Sequence, residues 1–169
     1  MATRYLDMDE VVADWIGYAE EFLGHKFVIG QMIPDHLWKK LKSHDRLYSE
    51  LPLKEGAREL VAWVTRYCND NNVQLKFLSA IPHNNDTPWA CYDKVVWAQT
   101  YFPHIPVFLG PYSHDKWRRC ESPDDILIDD RRSNCDEWRR AGGKAHEYTS
   151  WAECKPWLEE TLGVTYDLP

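Results

Sequence analysis

Residues 5–10 read YLDMDE and residues 126–130 read ILIDD, two short apolar runs that each break off into a pair of aspartates. A brief apolar run bounded by polar residues is the pattern of a buried strand. Residues 73–79 (VQLKFLS), 106–109 (PVFL) and, more weakly, 144–148 (KAHEY) fit the same reading. Between the runs, apolar residues recur at helical spacing. Leu53, Ala57, Leu60, Val61, Val64 and Cys68 form one stripe, and Trp89, Tyr92 and Val96 another, with Pro88 suited to a first helical turn. Asn134 or Ser133 is expected to cap a helix through Ala141 that Gly142 and Gly143 stop, and residues 151–162 form a last helix ended by Gly163. Strands alternating with crossover helices imply a parallel sheet covered on both faces. The expected fold is α/β, a doubly wound, Rossmann-like, five-stranded parallel sheet.

One stretch breaks this rhythm. About 40 residues separate the first strand from the helix beginning near Leu53, far beyond the roughly 15 of an ordinary long loop. Residues 16–52 are read as a small helical cap inserted after the first strand, over a core domain of residues 1–15 and 53–169.

The 169 residues carry 20 Lys and Arg against 27 Asp and Glu, a formal net charge of -7, and 44% are hydrophobic, which fits one ordinary globular domain. The acidic balance argues against a stable grip on duplex nucleic acid, which is held through clustered cations. It leaves room for a small phosphorylated substrate, which a few local positive charges and a bound cation can receive. No window approaches the roughly 18 apolar residues of a membrane span, and MATRYLDMDE lacks the apolar segment of a secretion signal. A cytoplasmic protein with no membrane partner is expected, and a homodimer is left open. Cys68, Cys91, Cys120, Cys135 and Cys154 are odd in number and form no CxxC pair, so reduced thiols are expected.

In open parallel sheets ligands bind beyond the carboxyl ends of the strands. Asp7 and Asp9 end the first run, Ser79 the second, Asp129 and Asp130 the fourth, and Lys116 follows the third in GPYSHDK. A strand alternates its side chains, so Asp7 and Asp9 are expected on one side with Met8 on the other. Four carboxylates in one pocket repel, and a divalent cation relieves that repulsion. An all-oxygen donor set suits Mg²⁺, typically completed by a substrate phosphate. Lys116 adds a point charge and Ser79 a hydroxyl donor for phosphoryl oxygens, which together imply phosphoryl transfer.

These residues also carry a family resemblance. YLDMDEVVADW resembles the first motif of the haloacid dehalogenase-like phosphohydrolases, FLS the second, Lys116 the third and ILIDDRRSNCDEW the fourth. Within that superfamily the phrases ELPLKEGARELV, KVVWAQTYF, HDK, LIDDR and AGG are most similar to the 5'(3')-deoxyribonucleotidases and their bacterial and phage relatives. The resemblance implies a phosphatase acting on nucleoside monophosphates. It casts Asp7 as nucleophile forming an aspartyl-phosphate and Asp9 as proton donor and then base. Mg²⁺ would be held by Asp7, the Asp9 carbonyl and Asp129, with Asp130 behind them, and Lys116 would pair with the phosphate and with Asp7. Ser79 and Ala80 stand in the phosphate-contacting second motif, where Thr and Ser are commoner, and Trp15 falls where the nucleotidases face the substrate with an aromatic residue. Glu10 stands where glycine is usual and places a further negative charge near the cap entrance. Alternatives are a phosphatase on nucleic-acid ends or sugar phosphates, and a nucleotide-sequestering protein of the same fold.

Plainer roles fit other polar residues. Lys94 rivals Lys116 but is read as a solvated helix position, and Lys39, Lys40 and Lys42 as a solvated face. Arg131 and Arg132 are assigned to salt bridges, Trp38 to core or cap seam, and His83 and His114 to loops near the mouth.

Overall fold

The central strand, β1 (Thr3–Leu6), is buried along its whole length, as a strand covered on both faces must be. The computed structural model describes residues 1–28, 31–82, 87–110 and 112–167, and His83 lies outside them. Parallel to β1 run β2 (Gln74–Ser79), β3 (Val107–Leu109), β4 (Ile126–Asp129) and β5 (Lys144–Glu147), in the spatial order β3-β2-β1-β4-β5. The chain winds outward from β1 to β3, then returns past β1 to β4. The switch point therefore lies between β1 and β4, where ligands of such sheets bind.

Alternation along the strands sorts the core into two layers. Leu6, Phe77, Ile126 and Ile128 face one side, where α4 (Ala57–Asn71), α5 (Ala90–Tyr101) and α7 (Trp151–Leu162) cover them with Leu60, Trp63, Trp97 and Leu158. Tyr5, Leu78, Leu127 and Ala145 face the other, against Cys135 and Trp138 of α6 (Arg132–Arg140). The stretch between β1 and α4 carries α1 (Trp15–Leu23), α2 (Asp35–Lys42) and α3 (Leu47–Glu50). Its Ala19, Leu23, Leu41, Leu47 and Leu51 are buried in continuity with the first layer. No helix among the described residues is long and apolar enough to cross a membrane. All five cysteines are free thiols.

Three local expectations are corrected. β1 ends at Leu6, because the Met8 carbonyl accepts from Val12 N and Ala13 N, both at 2.9 Å, and closes a tight turn. Asp7 and Asp9 thus share a cavity through a turn, not through strand alternation. Neither Ser133 nor Asn134 caps α6: both lie inside it, the N-cap is Arg131, and the Asn134 side chain turns to Asp129. The buried face of α5 is not Trp89, Tyr92 and Val96 but Ala90, Asp93, Lys94, Trp97 and Ala98, with Tyr92 exposed.

Candidate active site

Register builds the site. Leu6 pairs with Ile128, and Asp7 N donates to the Ile128 carbonyl at 2.9 Å, so Asp7 and Asp129 leave the sheet side by side. Asp7, Asp129 and Asp130 each offer a carboxylate oxygen within 4.8 Å of the others. Lys116, in the 3-10 helix Ser113–Arg119, sends its Nζ to Asp7 Oδ1 at 2.8 Å and to Asp129 Oδ2 at 2.7 Å. Burial alone would lower the Lys116 pKa, but the charges of Asp7 and Asp129 reverse this and raise it. Lys116 therefore stays charged.

Each carboxylate has a distinct environment. Asp129 is fully buried and accepts four hydrogen bonds, at Oδ1 from Arg131 N and Asn134 Nδ2 and at Oδ2 from Lys116 and Asn134. Burial first, then Asp7, still raises its pKa. Asp7 Oδ1 accepts from Met8 N at 2.8 Å as well as from Lys116, and among the described residues no donor reaches its Oδ2. Asp130 accepts no hydrogen bond from the described residues. Its carboxyl is pushed up to about 8 by burial, then by Asp7 and Asp129. One ammonium thus pairs with two of three clustered carboxylates, and the third, Asp130, holds its proton near neutrality. Hard oxygen donors crowded with surplus negative charge are what a divalent cation such as Mg²⁺ fits.

The expected residues around this cluster are placed as follows. Asp9 stands apart from it, its Oδ2 accepting from Lys94 Nζ at 2.7 Å, so its carboxylate is not one of the three converging oxygens. Ser79, at the end of β2, is buried and accepts from the same Lys94 at 2.7 Å. A cavity of about 520 Å³ opens over these groups, lined by Asp7, Asp9, Ser79, Lys116 and Asp130 at its base, with Ala80 and Ile81 beside them. Trp15 and Trp38 line it as well, so Trp38 is a cavity residue and not only a seam residue. Trp15 stacks on Phe27 at 6.2 Å between ring centres and lies 6.3 Å from Trp38.

Lys94 corrects the reading of it as solvated. It is 3% exposed, deep in the cavity wall, with the Tyr48 ring 4.7 Å from its ammonium. The signal was present in the sequence: Ala90, Asp93, Lys94, Trp97 and Ala98 have helical spacing, but two charged members hide the stripe from an apolar count. Lys42 also lines the cavity, while Lys39 and Lys40 are exposed. Arg131 lines it too, and among the described residues its guanidinium donates to Ser113 Oγ at 3.5 Å instead of pairing with a carboxylate. His114 is exposed beside Asp115 and is not in the cavity lining. Asn134 was expected only as a helix cap and Tyr48 was not singled out, since neither residue type at a lone position signals chemistry.

Glu10 has φ 64, in the left-handed region where glycine is at ease, which accounts for the glycine usual at this place in the motif. Its charge does not stand free at the entrance. Oε1 accepts from Ile16 N at 2.7 Å and Oε2 from Lys54 Nζ at 2.8 Å.

Comparison with protein-family models and with curated proteins finds no match. Among solved structures, a hydrolase from Streptococcus pneumoniae is 15% identical, with 96% of this chain and 98% of that one covered and a TM-score of 0.51. A HAD family enzyme from Bacteroides thetaiotaomicron, an aspartate-to-alanine variant in complex with magnesium and inorganic phosphate, is 11% identical over 91% of this chain and 98% of its own, with a TM-score of 0.52. A HAD-hydrolase from Bacillus subtilis bound to magnesium is 13% identical over 96% and 99%, with a TM-score of 0.50. At such identities the likeness is one of architecture: the chain shares the doubly wound α/β fold of these solved structures.

Proposed function

We propose that this chain is a Mg²⁺-dependent phosphomonoesterase acting on nucleoside monophosphates, deoxyribonucleotides foremost. One observation carries the reading: Asp7, Asp130 and Lys116 line a cavity whose wall includes Trp15 and Trp38, and the buried Asp129 converges on them from behind. Asp7, Asp129 and Asp130 would hold the ion, with the Asp9 main-chain carbonyl completing the set. Bound there, Mg²⁺ supplies charge neutralisation for the phosphoryl oxygens.

The chain's own residues would do the rest. Asp7 Oδ2, the oxygen with no protein donor among the described residues, attacks phosphorus. The ester P–O bond breaks, and Asp9 gives its proton to the departing alkoxide. Water then attacks the phosphorus of the aspartyl-phosphate, Asp9 takes a proton from it, and Asp7 is released with inorganic phosphate. Lys116 and Ser79 neutralise and orient phosphoryl oxygens beside Ala80, while Trp15 packs against the nucleoside.

The cavity volume of about 520 Å³ supports a small ligand over a nucleic-acid strand, because pockets of roughly 300–1,000 Å³ enclose single small molecules. The test is hydrolysis of a nucleoside-monophosphate panel, with sugar phosphates and a 5'-phosphorylated oligonucleotide alongside, in millimolar Mg²⁺. Release of phosphate from mononucleotides is expected, with Asp7→Asn inactive. Undiminished turnover by Asp7→Asn, or preference for the oligonucleotide, would refute the assignment.

A further inference from the structure

Lys94 is a buried cavity charge that the reaction above leaves without a task. Its ammonium donates to Asp9 Oδ2 and to Ser79 Oγ, both at 2.7 Å, and lies 4.7 Å from the centre of the Tyr48 ring. An ammonium has three N–H bonds and no lone pair. Two of those bonds are committed, and the face of Tyr48 stabilises the remaining positive charge. With Lys94 only 3% exposed, water does not compete for it. To bind a phosphate directly it would have to turn its third N–H from the Tyr48 ring or release Asp9 or Ser79.

We infer that Lys94 is a positioning residue that fixes the Asp9 carboxylate and orients the Ser79 hydroxyl, and that Tyr48, from the segment inserted after β1, holds Lys94 in place. The inference rests on the phosphatase reading. A hydroxyl offers one proton and two lone pairs. Lys94 occupies one lone pair of Ser79, and among the described residues no acceptor takes its proton. That proton is free to meet a phosphoryl oxygen. On the Asp9 side, the ammonium pins one carboxylate oxygen and leaves the other to exchange a proton with the leaving group and then with water. Lys94 and Lys116 thus divide the work: Lys116 bridges the carboxylates at the strand ends, and Lys94 anchors the acid–base group.

The test combines steady-state kinetics on a nucleoside monophosphate with calorimetric titration of inorganic phosphate in Mg²⁺. For Lys94→Met, kcat falls about 100-fold or more, the range of a lost general acid–base function. Its KM and phosphate dissociation constant stay within about threefold of wild type, as loss of a group acting only in the transition state requires. Tyr48→Leu lowers kcat about tenfold, and Tyr48→Phe, which keeps the ring, recovers most of that loss. Should Lys94→Met fail to fold, Lys94→Arg carries the test. Its charge is kept, but a planar fork does not occupy the same point, so kcat falls with KM retained. A tenfold weaker phosphate affinity in either variant would make Lys94 a ligand of the phosphate and overturn the inference, as would an unchanged kcat. If the wild-type chain hydrolyses nothing, the phosphatase reading fails and the acid–base part of the inference with it, while the calorimetric comparison still decides whether Lys94 is a ligand of the phosphate. A wild-type chain that binds no phosphate overturns both.

Discussion

Asp7 and Asp129 each lie one residue beyond a paired position, Leu6 with Ile128, so the parallel register itself sets their side chains next to each other. Lys116 bridges them at 2.8 and 2.7 Å and is only 2% exposed. Removing one member of such a buried group leaves the others uncompensated, a loss of about 3–5 kcal/mol. Lys116→Met should therefore unfold at markedly lower urea than wild type in magnesium-free buffer at neutral pH. Millimolar Mg²⁺ should restore part of the difference by supplying the missing charge. A loss below about 1 kcal/mol, the worth of an exposed pair, would show that the bridge is solvated.

The Asp130 carboxyl gives the site a pH signature. Burial and its acidic neighbours raise it from an ordinary value of 3.8 to about 8. The folded chain then holds this proton more tightly than the unfolded chain. The resulting stability is complete below pH 3.8 and is lost as pH rises through about 8. The melting temperature of magnesium-free protein should fall between about pH 5 and 8, and more gently in Asp130→Asn. Mg²⁺ favours the ionised carboxylates, so its stabilisation should be larger at the alkaline end. A magnesium-induced shift equal at both ends would contradict the clustering of these three groups.

The sheet was legible because strands covered on both faces have to be apolar, and ILI and FLS stop where the chain leaves the core. The carboxylates at the strand ends were legible for the same reason, as charges placed just past buried runs. Lys94 was not, because an amphipathic count sees charge on α5 as solvent-facing, whereas here Lys94 faces the cavity and Asp93 is buried beside Arg46. Glu10 shows a second limit. Its position suggested a further negative charge near the entrance, but its partner Lys54 is 44 residues away and is brought close only where the stretch between β1 and α4 returns. The cavity wall of Trp15, Trp38 and Lys42 had a weak sequence signature, since aromatic residues in a helical stretch serve a core as readily as a ligand.

Gly56 and Gly24 separate two costs of replacing glycine. Both have positive φ, 78° and 64°, but a Cβ on Gly56 would lie 2.6 Å from the Trp151 Cβ, whereas one on Gly24 meets nothing within 4 Å. Gly24→Ala should lose only the left-handed backbone term, about 1–2 kcal/mol. Gly56→Ala should lose that and a further 1–3 kcal/mol or so for overpacking, because the junction of α4 and α7 has to open. Equal losses in chemical denaturation would mean that Trp151 moves aside freely.

Trp15 is held before any ligand arrives, stacked on Phe27 with only 20° between the ring planes and flanked by Trp38. A pre-set aromatic face loses little entropy when a base lies against it, and such stacking is worth about 1–3 kcal/mol per base. Trp15→Ala should raise KM for a nucleoside monophosphate by about 5- to 150-fold. For glycerol phosphate, which has a phosphoryl group but no base, KM should hardly change. Trp15→Phe should recover most of the nucleotide affinity, since a smaller ring still stacks. If both substrates lose affinity equally, Trp15 supports the shape of the inserted segment and does not touch the base. If neither does, the nucleoside lies elsewhere along the cavity, and Trp38 with Lys42 becomes the wall to test by the same pair of substrates.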